Sequence, residues 1–204
     1  MSNQRQDKKT PTAISPTPLR DWIQKQSLSM QLALILLMGA CIACGARVSI
    51  NFSDSPVPAN LQLLFAILSG ICLGSRYGAL TGVTYLLGAS AMHAFWPLNS
   101  GANPLTGMMA GYLWSLPLIG YVTGRIVERL GRENFATYMM GSLTGIAVYD
   151  AIGPVRMMGA TEMDPVSAGL KGAVIFLGLH LSHAFAAAIM TTAASSTASA
   201  RSNQ

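Results

Sequence analysis

Three groups of side chains in this sequence are of a type and spacing that can do chemistry. Asn60 and Gln62 are amides two residues apart, directly after Pro56 and Pro58. Each amide offers both donors and an acceptor, so the pair suits recognition of a small polar ligand. Asp150 and Arg156 stand six apart around Gly153-Pro154, and His180 and His183 stand three apart on roughly one helix face. The histidine spacing permits a metal pair, a hydrogen-bonding role in a pocket, or plain helix packing. No carboxylate or cysteine cluster accompanies them and His93 lies on another segment, so no metal or other cofactor is assigned. A serine hydrolase finds no Gly-x-Ser-x-Gly, and Ser115 and Ser182 lack an arguable base. Cys41 and Cys44 form a Cys-x-x-Cys that reads as redox-active or as small-residue packing.

The elements that must carry these groups are apolar. Of 204 residues, 51% are hydrophobic and only 10% charged, against about 25% charged in soluble domains. With 20 glycines spread through the apolar runs, the class is an all-α, polytopic membrane protein. Six transmembrane helices are predicted, over 28–50, 59–73, 77–93, 107–127, 135–158 and 168–192. At 1.5 Å per residue most can cross a core of about 30 Å. The second is short, which predicts re-entrant backbone at Pro56 and Pro58. Pro117 predicts a kink, and Gly153-Pro154 a break that would let irregular backbone line a cavity.

Residues 1–27 hold five cations and three prolines and are expected to be a disordered cytoplasmic tail, with a short interfacial helix near Trp22. This stretch is long and polar for a signal segment, so no cleaved signal is expected. Residues 28–192 are expected to form the six-helix transmembrane domain. Residues 193–204, rich in Ser, Ala and Thr, are expected to be a frayed tail. The three cysteines give no disulfide framework.

Six spans put both termini on one side. Assigning the tails and the second and fourth connections to the cytoplasm collects Arg5, Lys8, Lys9, Arg20, Lys25, Arg76, Arg125, Arg129, Arg132 and Arg201, which is 10 of the 13 Lys and Arg residues. The positive-inside rule then places the termini in the cytoplasm of a prokaryotic cell. Arg47, Arg156 and Lys171 fall near the opposite face, with Asp150 beside them. Charge at the membrane either snorkels to water or marks a binding site. On the first span, Gly39, Ala40, Ala43 and Ala46 make a small-residue stripe that admits a close helix neighbour, from this chain or another.

Several of these stretches resemble the biotin-specific S component of energy-coupling factor (ECF) transporters. They are Ala46-Arg-Val-Ser-Ile50, Ser55-Pro-Val-Pro-Ala-Asn-Leu-Gln62, Gly70-Ile-Cys-Leu-Gly-Ser-Arg-Tyr-Gly-Ala79, Tyr85-Leu-Leu-Gly88 and Gly111-Tyr-Leu113. Order and spacing hold over about 46–124. The resemblance implies a six-helix membrane subunit that captures a vitamin, most simply biotin, from outside. It implies docking to a membrane T component and two ATPase subunits, with Gly39 and Ala43 at the T-component interface. It also implies a pocket to which Arg47, Asn60, Gln62, Tyr85, Tyr112, Asp150, Arg156, His180 and His183 are assigned as ligand-binding residues.

The C-terminal third departs from that pattern. The family's Pro-Phe-x-Pro-Gly-Asp-x-x-Lys element, whose Asp and Lys are expected to hold the polar ends of biotin, is missing. In its place stands Val174-Ile-Phe-Leu-Gly-Leu-His-Leu-Ser-His183, similar to the Phe-x-x-x-His of other vitamin S components. Two readings follow. One is a transport subunit without chemistry of its own, for biotin or another vitamin; no Gly-x-x-x-x-Gly-Lys-Ser/Thr is present to bind ATP. The other is an intramembrane enzyme or structural subunit using Asp150, His180 and His183. Neither implies nucleic acid; the bilayer is a partner in both.

Overall fold

The helices begin and end where small polar residues and glycines permit. The computed structural model describes residue 23 and residues 25–95 and 105–202, without the side chains of 92–95 and 198–202. Most of the 1–27 tail, the helix expected near Trp22 and the side chain of His93 therefore lie outside the described residues. Helix α1, Leu28–Gly45, starts at Ser27, whose hydroxyl accepts from the Met30 N–H at 3.4 Å. It stops at Gly45, five residues short of the predicted end. A Cβ there would lie 2.9 Å from the Phe65 ring, and the Gly45 carbonyl accepts from the Leu61 N–H at 3.2 Å. The chain then runs extended, as β-branched Val48 and Ile50 favour. Strand β1, Ser49–Ile50, pairs antiparallel with β2, Ala59–Asn60, and Pro56 and Pro58 sit in the loop between them.

Helix α2, Gln62–Leu73, has nine of its twelve residues buried, so it is a central post of the bundle. Gly74 alone joins it to α3, Ser75–Phe95, and adopts φ 85°, which only glycine takes at no cost. Helix α4, Ala110–Leu130, ends in left-handed Gly131, and α5, Phe135–Thr161, is capped by Asn134. Pro165 opens the short α6, Pro165–Gly172, behind Asp164. A 3₁₀ turn, Val174–Phe176, leads to α7, Leu177–Ser202.

Three expectations are corrected here. Pro154 does not break its helix: α5 is continuous through Gly153-Pro154, because the flanking turns keep their bonds and only the Pro154 N–H is lost. The predicted helix 168–192 is instead two helices joined by the 3₁₀ turn, and the second continues through 193–202 rather than fraying. Pro117, where a kink is expected, lies inside α4, which remains helical through it.

Helix α4 packs on α2, α3 and α5; α7 closes the bundle against α5 and α2, and α1 lies outside against α2 and α3. Contact between α3 and α4 is backbone to backbone: a Cβ on Gly82 would lie 2.5 Å from the Pro117 nitrogen. The long helices run alternately up and down, so β1, β2, α6 and the starts of α2, α4 and α7 share one end. The outer surface is apolar, with Leu36, Leu87, Trp114, Val155 and Phe185 all more than half exposed. Leu28–Gly45 and the segment Pro165–Thr197 are long and apolar enough to cross a membrane.

Candidate ligand-binding cleft

Where β2, α6 and the starts of α2, α4 and α7 meet, they enclose a cleft lined by Val57, Pro58, Ala59, Asn60, Leu63, Tyr112, Tyr149, Gly172, Phe176 and His180. Its free volume is about 10 Å³, room for about one water molecule. The walls are aromatic and the polar groups few, the composition of a small-molecule site.

Asn60, Gln62 and Tyr112 are fixed by their neighbours. The Asn60 amide donates to Gln62 Oε1 at 2.8 Å and accepts from the Gln62 N–H at 3.0 Å. The Gln62 amide in turn donates to the Tyr85 hydroxyl. Gln62 is buried and its side chain is committed on both sides, so it orients Asn60 rather than lining the cleft. Tyr112 is held deep in the wall, its hydroxyl donating to the Gly172 carbonyl at 2.8 Å. A Cβ on Gly153 would land inside the Tyr112 ring. The glycine that was expected to break α5 is there to make a slot for this tyrosine.

On the opposite wall, His180 Nδ1 lies 2.9 Å from Asp150 Oδ1, close enough for an ion pair but off the line of a hydrogen bond. Rings continue from this pair: Phe176 stacks on His180 at 5.8 Å, and Tyr149 meets it edge-on at 5.4 Å. His183 sits one turn further along α7, buried, with neither nitrogen partnered. A buried unpaired polar group costs about 1–3 kcal/mol, so this wall holds hydrogen-bonding capacity that the protein leaves unused.

The loop 51–58 covers the cleft. Phe52 packs edge-on against Phe176 at 5.3 Å, and the Ser55 hydroxyl donates to the Lys171 carbonyl at 2.7 Å.

The sequence-assigned residues thus separate. Asn60, Tyr112 and His180 line the cleft, with Asp150, Gln62 and Tyr85 directly behind them. Arg47 is exposed at the end of α1. Arg156 lies beyond Gly111, donating to the Thr106 carbonyl, and does not line the cleft. Gly39 faces the chain's own α3, where an added Cβ would lie 3.7 Å from Thr84, whereas Ala40 and Ala43 face outward. Tyr149 and Phe176 line the cleft without having been assigned to it; Tyr149 directly precedes the assigned Asp150, and Phe176 stands in the Phe176-x-x-x-His180 of the C-terminal stretch. Cys41, Cys44 and Cys72 are free thiols, and no group of three metal-ligating side chains occurs among the described residues.

The helical bundle, with its cleft at one end and a β-paired loop over it, has the fold of a solved membrane-transporter subunit. A crystal structure of the S-component for biotin from an ECF-type ABC transporter shares it, with a TM-score of 0.69 over 82% of this chain and 93% of that one at 17% identity. The chain belongs to the BioY family, whose model matches residues 16–200. It is 38% identical over 115 residues to the biotin transporter BioY of Thermotoga maritima, covering 56% of this chain and 66% of that one. It is 32% identical over 114 residues to the probable biotin transporter BioY of Pyrococcus horikoshii, covering 55% and 67%. These matches span about two thirds of the relatives' length.

Proposed function

We propose that this chain is the substrate-binding subunit of an ECF-type importer and that it captures biotin without transforming it. The observation that carries this is the convergence of Asn60, Tyr112 and His180, the last backed by Asp150, on one aromatic-walled cleft in a member of the BioY family. Biotin presents a flat ureido group with N–H donors and a carbonyl acceptor, and a carboxylate on a flexible chain. The ureido group matches Asn60 as both donor and acceptor, and His180, with Asp150 behind it, as a further hydrogen-bonding partner. The carboxylate matches the cations around the mouth, Arg47 and Lys171, both exposed.

A cleft with room for about one water cannot admit a bicyclic ligand without parting. The loop 51–58 is the wall proposed to move: its outer part is held to α6 and the 3₁₀ turn by the Ser55 bond and the Phe52–Phe176 ring pair, while Val57 anchors its end in the core. The apolar exterior supports a six-span subunit in the cell membrane, with both termini cytoplasmic and the cleft facing out. A membrane T component and two ATPase subunits would supply the energy. Ala40 and Ala43, small and outward-facing on α1, form the surface for the T component.

Calorimetric titration of the detergent-solubilised protein with biotin is the test. Saturable binding at one site is expected, weakened at least tenfold by His180→Leu. Absence of binding by protein first stripped of any retained ligand would overturn biotin as the substrate; binding untouched by His180→Leu would remove the cleft as its site.

A further inference from the structure

At the end of the bundle away from the cleft, α3 begins and α4 ends around a second, much wider hollow. Its free volume is about 490 Å³, and it is lined by Leu73, Gly74, Ser75, Arg76, Tyr77, Tyr121, Arg125 and Glu128. Glu128 is committed: its carboxylate accepts from the Ser75 N–H at 2.7 Å and the Ser75 hydroxyl at 2.9 Å, and Arg125 stands 3.5 Å away. The start of α3 is thereby neutralised from within the protein. Two guanidiniums against one carboxylate leave the hollow with net positive charge, and both arginines are exposed. Tyr121 is 44% exposed beside them.

The sequence continues this pattern along both helices. On α3, Arg76 is followed at helical spacing by Leu80, Val83 and Leu87, which are 47%, 40% and 66% exposed. On α4, Arg125 is preceded at the same spacing by Tyr121, Leu118 and Trp114, the last two 47% and 53% exposed. Each stripe runs eleven residues from its arginine, about 16 Å along the helix, which matches the roughly 15 Å hydrocarbon depth of one leaflet. The two stripes lie either side of the tight Gly82–Pro117 seam between α3 and α4. A paired cationic head followed by two parallel apolar tracks of leaflet depth is the complement of a single diacyl phospholipid.

We infer that Arg76 and Arg125 bind the phosphate of an anionic phospholipid headgroup, whose acyl chains lie along the Leu80–Val83–Leu87 and Tyr121–Leu118–Trp114 stripes. Guanidinium groups pair with phosphate oxygens in fork geometry, and basic hollows at helix ends are suited to anionic headgroups. Zwitterionic lipid carries its own cation and matches the hollow less well. The inference rests on the membrane-spanning reading of the bundle but not on the identity of the vitamin.

The test uses the full chain in detergent, with phosphatidylglycerol, phosphatidylcholine or inorganic phosphate added, read as thermal stability and as lipid retained in native mass spectrometry. Phosphatidylglycerol is expected to be retained and to raise Tm by several degrees more than phosphatidylcholine. Arg76→Gln with Arg125→Gln is expected to abolish that difference while leaving vitamin binding unchanged. Arg76→Gln alone leaves the Glu128–Ser75 cap in place and is expected to remove at least half of it. Equal responses to the two lipids, or a preference that survives both substitutions, would overturn the site. A shift produced as fully by inorganic phosphate would overturn the lipid, leaving a soluble phosphate as the ligand. If vitamin binding fell with the lipid response, the two ends would be coupled and the site would not be the independent one argued here.

Discussion

The two ends of this bundle use polar groups in opposite ways. At the cleft end they are few and set into the walls, some tied by hydrogen bonds and His183 with none, with about 10 Å³ left free. At the other end they are exposed around about 490 Å³, and one carboxylate, Glu128, is spent on fixing the start of a helix. Glycine serves the two ends differently as well. Gly153 opens a slot for a side chain, Tyr112, whereas Gly124 lets the α4 backbone touch the start of α3 at Ser75. The lesson is one of division. The buried end is built to discriminate, because an unmatched polar group there has no water to turn to. The charged end is built to anchor, through contacts that salt will screen.

The strongest way to break this contrast is to fill the slot. Gly153→Ala places a methyl group in the Tyr112 ring, so the tyrosine and its bond to Gly172 must move. A loss of about 1–3 kcal/mol in stability is expected from overpacking, with at least a tenfold loss of ligand affinity. Gly159, two turns on, has open space around its Cβ position. Gly159→Ala is expected to be neutral or to stabilise by up to about 1 kcal/mol. Thermal unfolding and titration of the two variants side by side decide the matter; equal behaviour would mean that Tyr112 is not held by its slot.

A second pair of substitutions sharpens the claim of independence. Gln62→Ala strands the Tyr85 hydroxyl and frees Asn60, and a loss of about 1–2 kcal/mol in binding is expected. Glu128→Ala removes the cap on α3 and should cost about 1 kcal/mol in stability while leaving the dissociation constant where it was. A Glu128 variant that loses affinity as much as the Gln62 variant would show the ends to be one cooperative unit.

How much of this was legible beforehand follows from what each signal depends on. The helices could be read because apolar runs and breaking residues are local properties. The paired strands could not: Ser49–Ile50 and Ala59–Asn60 are two residues each, too short for any periodicity. Asn60, Tyr112 and His180 were found as residue types in the right segments, but which of them face the cleft is a matter of packing. Gln62 was placed in the pocket and proves to stand behind it, since a sequence shows an amide but not its two partners. Gly153-Pro154 misled for a related reason. Local chemistry favours a break there, and only the Tyr112 ring, 41 residues away in the chain, explains the glycine. Gly39 and Ala43 share a stripe by spacing, yet one faces inward and the other outward.

The smallest expected effect lies in α6, which joins the cleft wall to the surface. Asp164 caps this helix, accepting from the Val166 and Ser167 N–H groups at 3.0 Å. The Ser167 bonds hold its carboxyl below the usual carboxylate range, with the Val166 N–H adding to them. A lowered folded-state value means that the cap contributes fully above the ordinary carboxylate pKa of about 4. That contribution fades as the pH falls through the lowered value. Because α6 carries the Lys171 and Gly172 carbonyls that hold Ser55 and Tyr112, the fading should appear at the cleft. Hydrogen-exchange protection across residues 165–172, corrected for the intrinsic pH dependence of amide exchange, is expected to hold from pH 7 to 5 and to fall below about pH 4, with a loss of affinity of a few-fold. Asp164→Asn keeps an acceptor without a titrating charge, so its exchange should lose this acid step. If the variant quickens at the same pH as the parent, another carboxyl carries the acid response, and α6 is held by its contacts with the cleft rather than by its cap.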